Sequence, residues 1–157
     1  MKYKSIIFDF DGVIIDSNRV KDKAFYSIFY DYGEHIASYS LEYHLENRGV
    51  SRFDKVNHVI KKFNLPKKDY TKIINNFSST VYKGVCDSPL VEGIKDFLKE
   101  NKKKYNFYII SATPTDELLK ILDELNLRSF FKSIYGSPND KRFWLDSLLK
   151  RNKISVS

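Results

Sequence analysis

The apolar positions along the chain follow two rhythms, and the change between them divides it. Ser5-Ile6-Ile7-Phe8 is a short β-branched run that stops at Asp9, with Gly12 close behind. This predicts a buried strand that runs into a functional turn. Val20, Ala24, Phe25, Ile28, Phe29 and Tyr32 then recur at helical spacing until Gly33. A weaker segment follows around Leu41 and Leu45. Ser51 and Asp54 stand at capping-box spacing before Phe53, Val56, Ile60 and Phe63, which share one face. Beyond the turn at Asn64-Leu65-Pro66, the residues Tyr70, Ile73, Ile74, Phe77 and Val81 give another amphipathic helix. The stretch from 18 to 84 therefore reads as helical throughout, with Asp16 as the cap of its first helix.

After Gly84 the pattern changes. Ser88-Pro89 reads as a cap with proline in the first helical position, and Val91, Ile94, Phe97 and Leu98 form the inner face of the helix. Tyr105 to Ile110 is a continuous apolar run ending at Ser111, a second buried strand. Thr113-Pro114 opens the next helix, with Asp116 at capping-box spacing and Leu118, Leu122 and Leu125 on one face. Phe131 to Tyr135 is a short third strand closed by Gly136, and Ser137-Pro138-Asn139 starts a helix carrying Trp144, Leu145, Leu148 and Leu149.

Strands alternating with helices predict right-handed crossovers and a parallel sheet. The absence of polar alternation in the first two strands predicts helices on both faces. The expected class is α/β: a Rossmann-like, three-layer parallel sheet core, C-terminally truncated, with an inserted all-helical cap. The core is assigned to residues 1–17 and 85–157 and the cap to residues 18–84.

Composition narrows the function. At 157 residues, 42% hydrophobic and 15% aromatic, the chain can bury a core. No apolar run suits a membrane span or a signal peptide. A single cysteine, Cys86, forbids an internal disulfide and suits a reducing cytoplasm. The formal charge of +7 lies in short lysine clusters such as Lys61-Lys62 and Lys102 to Lys104, which read as solvated helix flanks. No stripe of basic residues with interleaved stacking aromatics points to nucleic acid. The excess positive charge would steer a small anionic substrate toward the protein.

In open parallel sheets, ligands bind beyond the carboxyl ends of the strands. Asp9 and Ser111 end the two clearest strands and Lys141 follows the third, so all three are expected at one edge. Asp9 and Asp11 place two carboxylates two residues apart where strand becomes loop. One can attack phosphorus and form an acyl phosphate; the other can protonate the departing oxygen and later activate water. Two acids so close would repel a phosphate dianion, which calls for a hard cation with oxygen ligands, Mg²⁺ above all. The hydroxyl of Ser111 and the amides at the following helix start form a ready anion site.

The stretch Ile7-Phe8-Asp9-Phe10-Asp11-Gly12-Val13-Ile14-Ile15-Asp16-Ser17 resembles the first motif of the haloacid dehalogenase superfamily, specifically its phosphatases and phosphomutases with a helical, C1-type cap. The resemblance implies that Asp9 is nucleophile and metal ligand. It makes Asp11 the acid/base, with its backbone carbonyl also facing the metal. Ile109-Ile110-Ser111-Ala112-Thr113 is similar to the second motif, in which Ser111 and the amide of Ala112 would hold the transferring phosphoryl group. Lys141, in Gly136-Ser137-Pro138-Asn139-Asp140-Lys141, resembles the third, whose lysine offsets charge between carboxylate and phosphate. The helical block corresponds to the family's cap, which selects the leaving group. Arg52 and Lys55, about one turn apart, are candidates there for a second anionic group, or else surface charges. His44 and His58 read as structural.

The family also has a fourth motif, a strand ending in acidic residues, lying beside the first strand. The sequence closes on Asn152-Lys153-Ile154-Ser155-Val156-Ser157, where that strand would begin. A shortened gene, a partner supplying the missing piece, or a non-catalytic descendant would each account for this. The resemblance implies a Mg²⁺-dependent cytoplasmic hydrolase of a small phosphorylated metabolite, acting through an aspartyl phosphate. Phosphomutase action on a sugar phosphate and a catalytically silent binding protein are the alternatives. With one family ligand missing, weak Mg²⁺ binding, near-background turnover and self-association through an exposed sheet edge are expected.

Overall fold

A computed structural model describes residues 4–152. Its contacts divide the chain into two compact units: the residues through Asp16 together with those from Pro89 onward, and Ser17–Ser88. Among the described residues, no helix is long and apolar enough to cross a membrane.

The first unit is α/β. Strands β1 (Ser5–Phe8), β2 (Asn106–Pro114) and β3 (Phe131–Ser137) form a parallel sheet in the order β1-β2-β3. Phe8 is in register with Ile109, and Ile110 with Tyr135. On one face Phe8 makes edge-to-face contacts with Phe97, Phe107 and Phe131. On the other, Tyr108 and Ile110 are buried with Leu148, and Tyr135 and Trp144 pack against them. The alternation of 107 and 109 against 108 and 110 explains the continuous apolar run, since both faces of the central strand are covered. That reading does not extend to β1. It is an edge strand among the described residues, and Ile7 is 36% exposed.

Boundaries moved where tertiary contacts outweighed local signals. β2 continues past Ser111 to Pro114, and the next helix, Thr115–Glu124, starts without a side-chain cap. Ser88-Pro89 does not open a helix. Leu90 bridges to Ile15 and the Val91 amide donates to the Ile14 carbonyl, so these residues are held as an extended segment. The helix begins only at Ile94, after Gly93 at φ +77°.

The second unit holds helices α1 (Asn18–Tyr30), α2 (Glu34–Glu46), α3 (Arg52–Lys62) and α4 (Tyr70–Cys86). The later ones are α5 (Ile94–Asn101), α6 (Thr115–Glu124) and α7 (Lys141–Asn152), all in the first unit. Phe25, Phe29, Val56, Ile60, Ile73, Phe77 and Val81 are buried in the helical unit at the positions its periodicity marks. Ser51 caps α3, its hydroxyl accepting from the Asp54 amide at 3.3 Å. Asp16 is not the cap of α1; that position falls to Ser17, which makes no side-chain capping bond. Gly84 does not end the helical block but lies within α4. A Cβ there would come within 2.7 Å of Val20, so glycine lets α1 and α4 approach closely.

Four side chains form a polar chain inside this unit. Buried His44 shares a hydrogen bond with Lys55 through Nδ1 at 2.9 Å and with Asp22 through Nε2 at 3.1 Å, while Arg48 pairs with Asp22 at 3.0 Å. Burial, then the Lys55 ammonium, lowers the His44 pKa from the usual 6.5 to about 4, against the opposing pull of Asp22. The folded protein thus keeps the imidazole neutral where the unfolded chain would protonate it. Its contribution to stability is complete above pH 6.5 and is lost as pH falls toward 4. Chemical denaturation at a series of pH values should show this loss, and His44→Gln should flatten it; an unchanged slope in the variant would place the acid sensitivity elsewhere.

Candidate active site

The site is built at the carboxyl end of the sheet in the first unit. β1 delivers Asp9, and a tight turn follows. Gly12 at φ +74° sends its amide back to the Ile15 carbonyl at 2.8 Å, and the Ile14 amide donates to the Phe10 carbonyl at 2.9 Å. Phe10, Ile14 and Ile15 are fully buried, so the apolar members of the motif anchor the turn while Asp9 and Asp11 stay partly exposed.

Each carboxylate is held by a residue distant in sequence. Lys141 Nζ donates to Asp9 Oδ2 at 2.5 Å, across 132 residues. The other oxygen, Oδ1, accepts the Phe10 amide at 2.8 Å. Thr113 Oγ1 donates to Asp11 Oδ2 at 3.1 Å, across 102 residues. The Lys141–Asp9 side chains are 38% and 40% exposed. Such a pair contributes at most about 1 kcal/mol to stability, so its weight lies in placing a cation on this carboxylate.

Ser111 is buried, and its Oγ accepts the Thr113 amide at 3.1 Å. Ala112, between them, is partly exposed. Asp9, Asp11, Ser111, Ala112 and Lys141 thus all lie at the ends of β1, β2 and β3 or just beyond, with Thr113 touching both Ser111 and Asp11. Arg52 and Lys55 are elsewhere, buried in the helical unit. Arg52 donates to Ser78 Oγ at 2.9 Å and stacks on Phe77, while Lys55 meets His44 and the Phe25 ring. They are not the surface charges that their helix positions allowed.

The sequence reading took Thr113 for a helix-opening residue and missed its contact with Asp11. The signal was there in the strand period. If β2 continues, Thr113 falls on the same face as Ser111. Also missed was Ser137, whose buried Oγ has no hydrogen-bond partner among the described residues.

The hard-oxygen donors at the end of β1 fit Mg²⁺ in kind. This ion usually takes one or two carboxylates and completes its shell with water and substrate phosphate. Among the described residues, no group of three His, Cys, Asp or Glu side chains forms a fuller protein cage. Asp9, through its carboxylate, and Asp11, through its backbone carbonyl, are therefore the residues that would hold the ion.

The family model of haloacid dehalogenase-like hydrolases matches residues 6–143. The chain belongs to this family. Solved structures agree on the fold. A haloacid dehalogenase-like hydrolase from Streptococcus pneumoniae is 22% identical, with a TM-score of 0.66 over 99% of this chain and 73% of that one. A predicted phosphoglycolate phosphatase from Haemophilus somnus is 18% identical, with a TM-score of 0.73 over 98% and 73%. The Bacillus subtilis protein YfnB, solved bound to magnesium, is 18% identical, with a TM-score of 0.64 over 96% and 74%. No curated protein sequence matches the chain. The family assignment makes the chain a hydrolase by descent and accounts for the carboxylate pair at the end of its first strand.

Gly136 fixes how closely β3 approaches the end of β2 in this hydrolase. A Cβ at that position would collide with the Thr113 carbonyl and lie 2.7 Å from the Thr115 amide. The Gly136 amide donates to Thr115 Oγ1, and its carbonyl accepts from the Trp144 indole. Gly136→Ala should therefore destabilise the protein by about 1–3 kcal/mol, visible as a lower melting temperature in circular dichroism. An unchanged melting temperature would show that the strand ends can move apart freely.

Proposed function

We propose that this hydrolase cleaves phosphate monoesters of small metabolites through a phosphoryl group carried on Asp9. The observation that carries the reading is the Lys141–Asp9 contact, which fixes a cation on the carboxylate at the end of β1. The magnesium-bound B. subtilis relative and the neighbour described as a phosphoglycolate phosphatase support the choice of metal and ester.

In the first half-reaction an Asp9 carboxylate oxygen forms a bond to phosphorus, the bond from phosphorus to the ester oxygen breaks, and Asp11 gives its proton to the departing alkoxide. In the second, water attacks phosphorus and passes a proton to Asp11, the bond to Asp9 breaks, and inorganic phosphate leaves. Lys141 offsets the charge that gathers between Asp9 and the incoming phosphate. Ser111 and the Ala112 amide orient the non-bridging oxygens. Mg²⁺, held by Asp9 and Asp11, would neutralise charge on the phosphoryl group and bring it into line with the nucleophile. Its affinity is expected to be weak, since among the described residues no group of three His, Cys, Asp or Glu side chains surrounds the ion.

Two measurements test this. Phosphate release from p-nitrophenyl phosphate should need added Mg²⁺, stop with chelator and return when the ion is restored. Asp9→Asn should reduce it to background, and Lys141→Ala should lower kcat by roughly 10²–10³-fold. Turnover indifferent to chelator, or full activity in Asp9→Asn, would overturn the mechanism; no turnover in the parent chain at any Mg²⁺ concentration would favour a silent binding protein.

A further inference from the structure

The buried Thr113 touches two of the groups assigned above, and neither contact is explained by its place in the strand. Its amide donates to Ser111 Oγ and its hydroxyl donates to Asp11 Oδ2, both at 3.1 Å. Thr113 is 2% exposed. Its β-branched side chain has few rotamers, and its carbonyl is backed by Gly136, where no Cβ fits. The hydroxyl is thus a fixed point, and it meets Asp11 on a partly exposed turn.

We infer that Thr113 is a positioning residue that holds the Asp11 carboxyl group in the orientation its acid/base role requires. The inference rests on the acid/base reading of Asp11. Through Oδ2 the threonine hydroxyl holds the carboxyl group in one orientation through both half-reactions. A threonine or serine can do this; valine has the same shape but lacks the donor. Because the Thr113 amide also holds the Ser111 hydroxyl, one residue sets both the proton donor and a phosphoryl-binding group in a single frame.

A merely structural role would lower all turnover alike, whereas positioning of a proton donor acts only where a proton is needed. The test compares an alkyl phosphate, whose leaving oxygen must be protonated, with acetyl phosphate, whose leaving group departs without help. Thr113→Val should lower kcat for the alkyl ester by roughly tenfold to a hundredfold, with KM nearly unchanged. It should leave formation of the phosphoenzyme from acetyl phosphate, followed by intact-mass spectrometry, close to that of the parent. Decay of that phosphoenzyme should slow, since Asp11 also activates water, and Thr113→Ser should restore both rates. If the valine variant melts early, Thr113→Ala removes the same donor without the added branch.

Asp11→Asn run on the same two substrates separates the possible failures. If it does not discriminate between them, the acid/base reading falls, and the role of Thr113 with it. If Asp11→Asn discriminates but Thr113→Val does not, or if Thr113→Ser fails to rescue, only the positioning role is overturned.

Discussion

Two negative charges two residues apart at the end of one strand are the constraint that the rest of the site serves. Left alone, Asp9 and Asp11 would repel each other and any phosphate between them. The fold brings each of them a partner from far along the chain: Lys141 beyond β3 and Thr113 near the end of β2. This requires the order β1-β2-β3, with the longest strand in the middle. It also requires β3 to pack closely against the end of β2, which is why Gly136 has no room for a side chain.

The parts legible in the sequence were those where one physical signal acted alone. The apolar run before Asp9, the helical periods of α1, α3 and α4 and the Ser51 cap all needed only local pattern. The positions misread were those where a tertiary contact competed with a local preference. Ser88-Pro89 has the form of a helix start, but Leu90 and Val91 are drawn to Ile14 and Ile15 instead. Thr113-Pro114 has the same form, yet the threonine hydroxyl is spent on Asp11 and the strand runs on. Gly84 suggested a boundary because glycine weakens helices. Its actual cause, the nearness of Val20, was about sixty residues away and beyond any local window.

The charge pattern carried a similar ambiguity. Lysines and arginines on amphipathic helices are usually solvated, and most of those here fit that rule. Arg52 and Lys55 do not, being 5% and 2% exposed. They are accommodated because aromatic faces lie beneath them and polar groups meet their ends: Phe77 and Ser78 for one, Phe25 and His44 for the other. Helical spacing showed that the two cations were one turn apart, but not that the turn faced inward.

The insertion of the helical unit directly after β1 also sets a timetable. Ser5 pairs with Asn106, so β1 must wait for about a hundred further residues to leave the ribosome before its neighbour exists, roughly 5–20 s at ordinary elongation rates. The four helices in between make local contacts and can consolidate during that interval, whereas β1 has no described partner other than β2. Throughout it, Ile6, Ile7 and Phe8 remain an apolar strand without its β2 neighbour. The strand that ends in Asp9 is thus the part of this hydrolase most in need of a chaperone while it is being made.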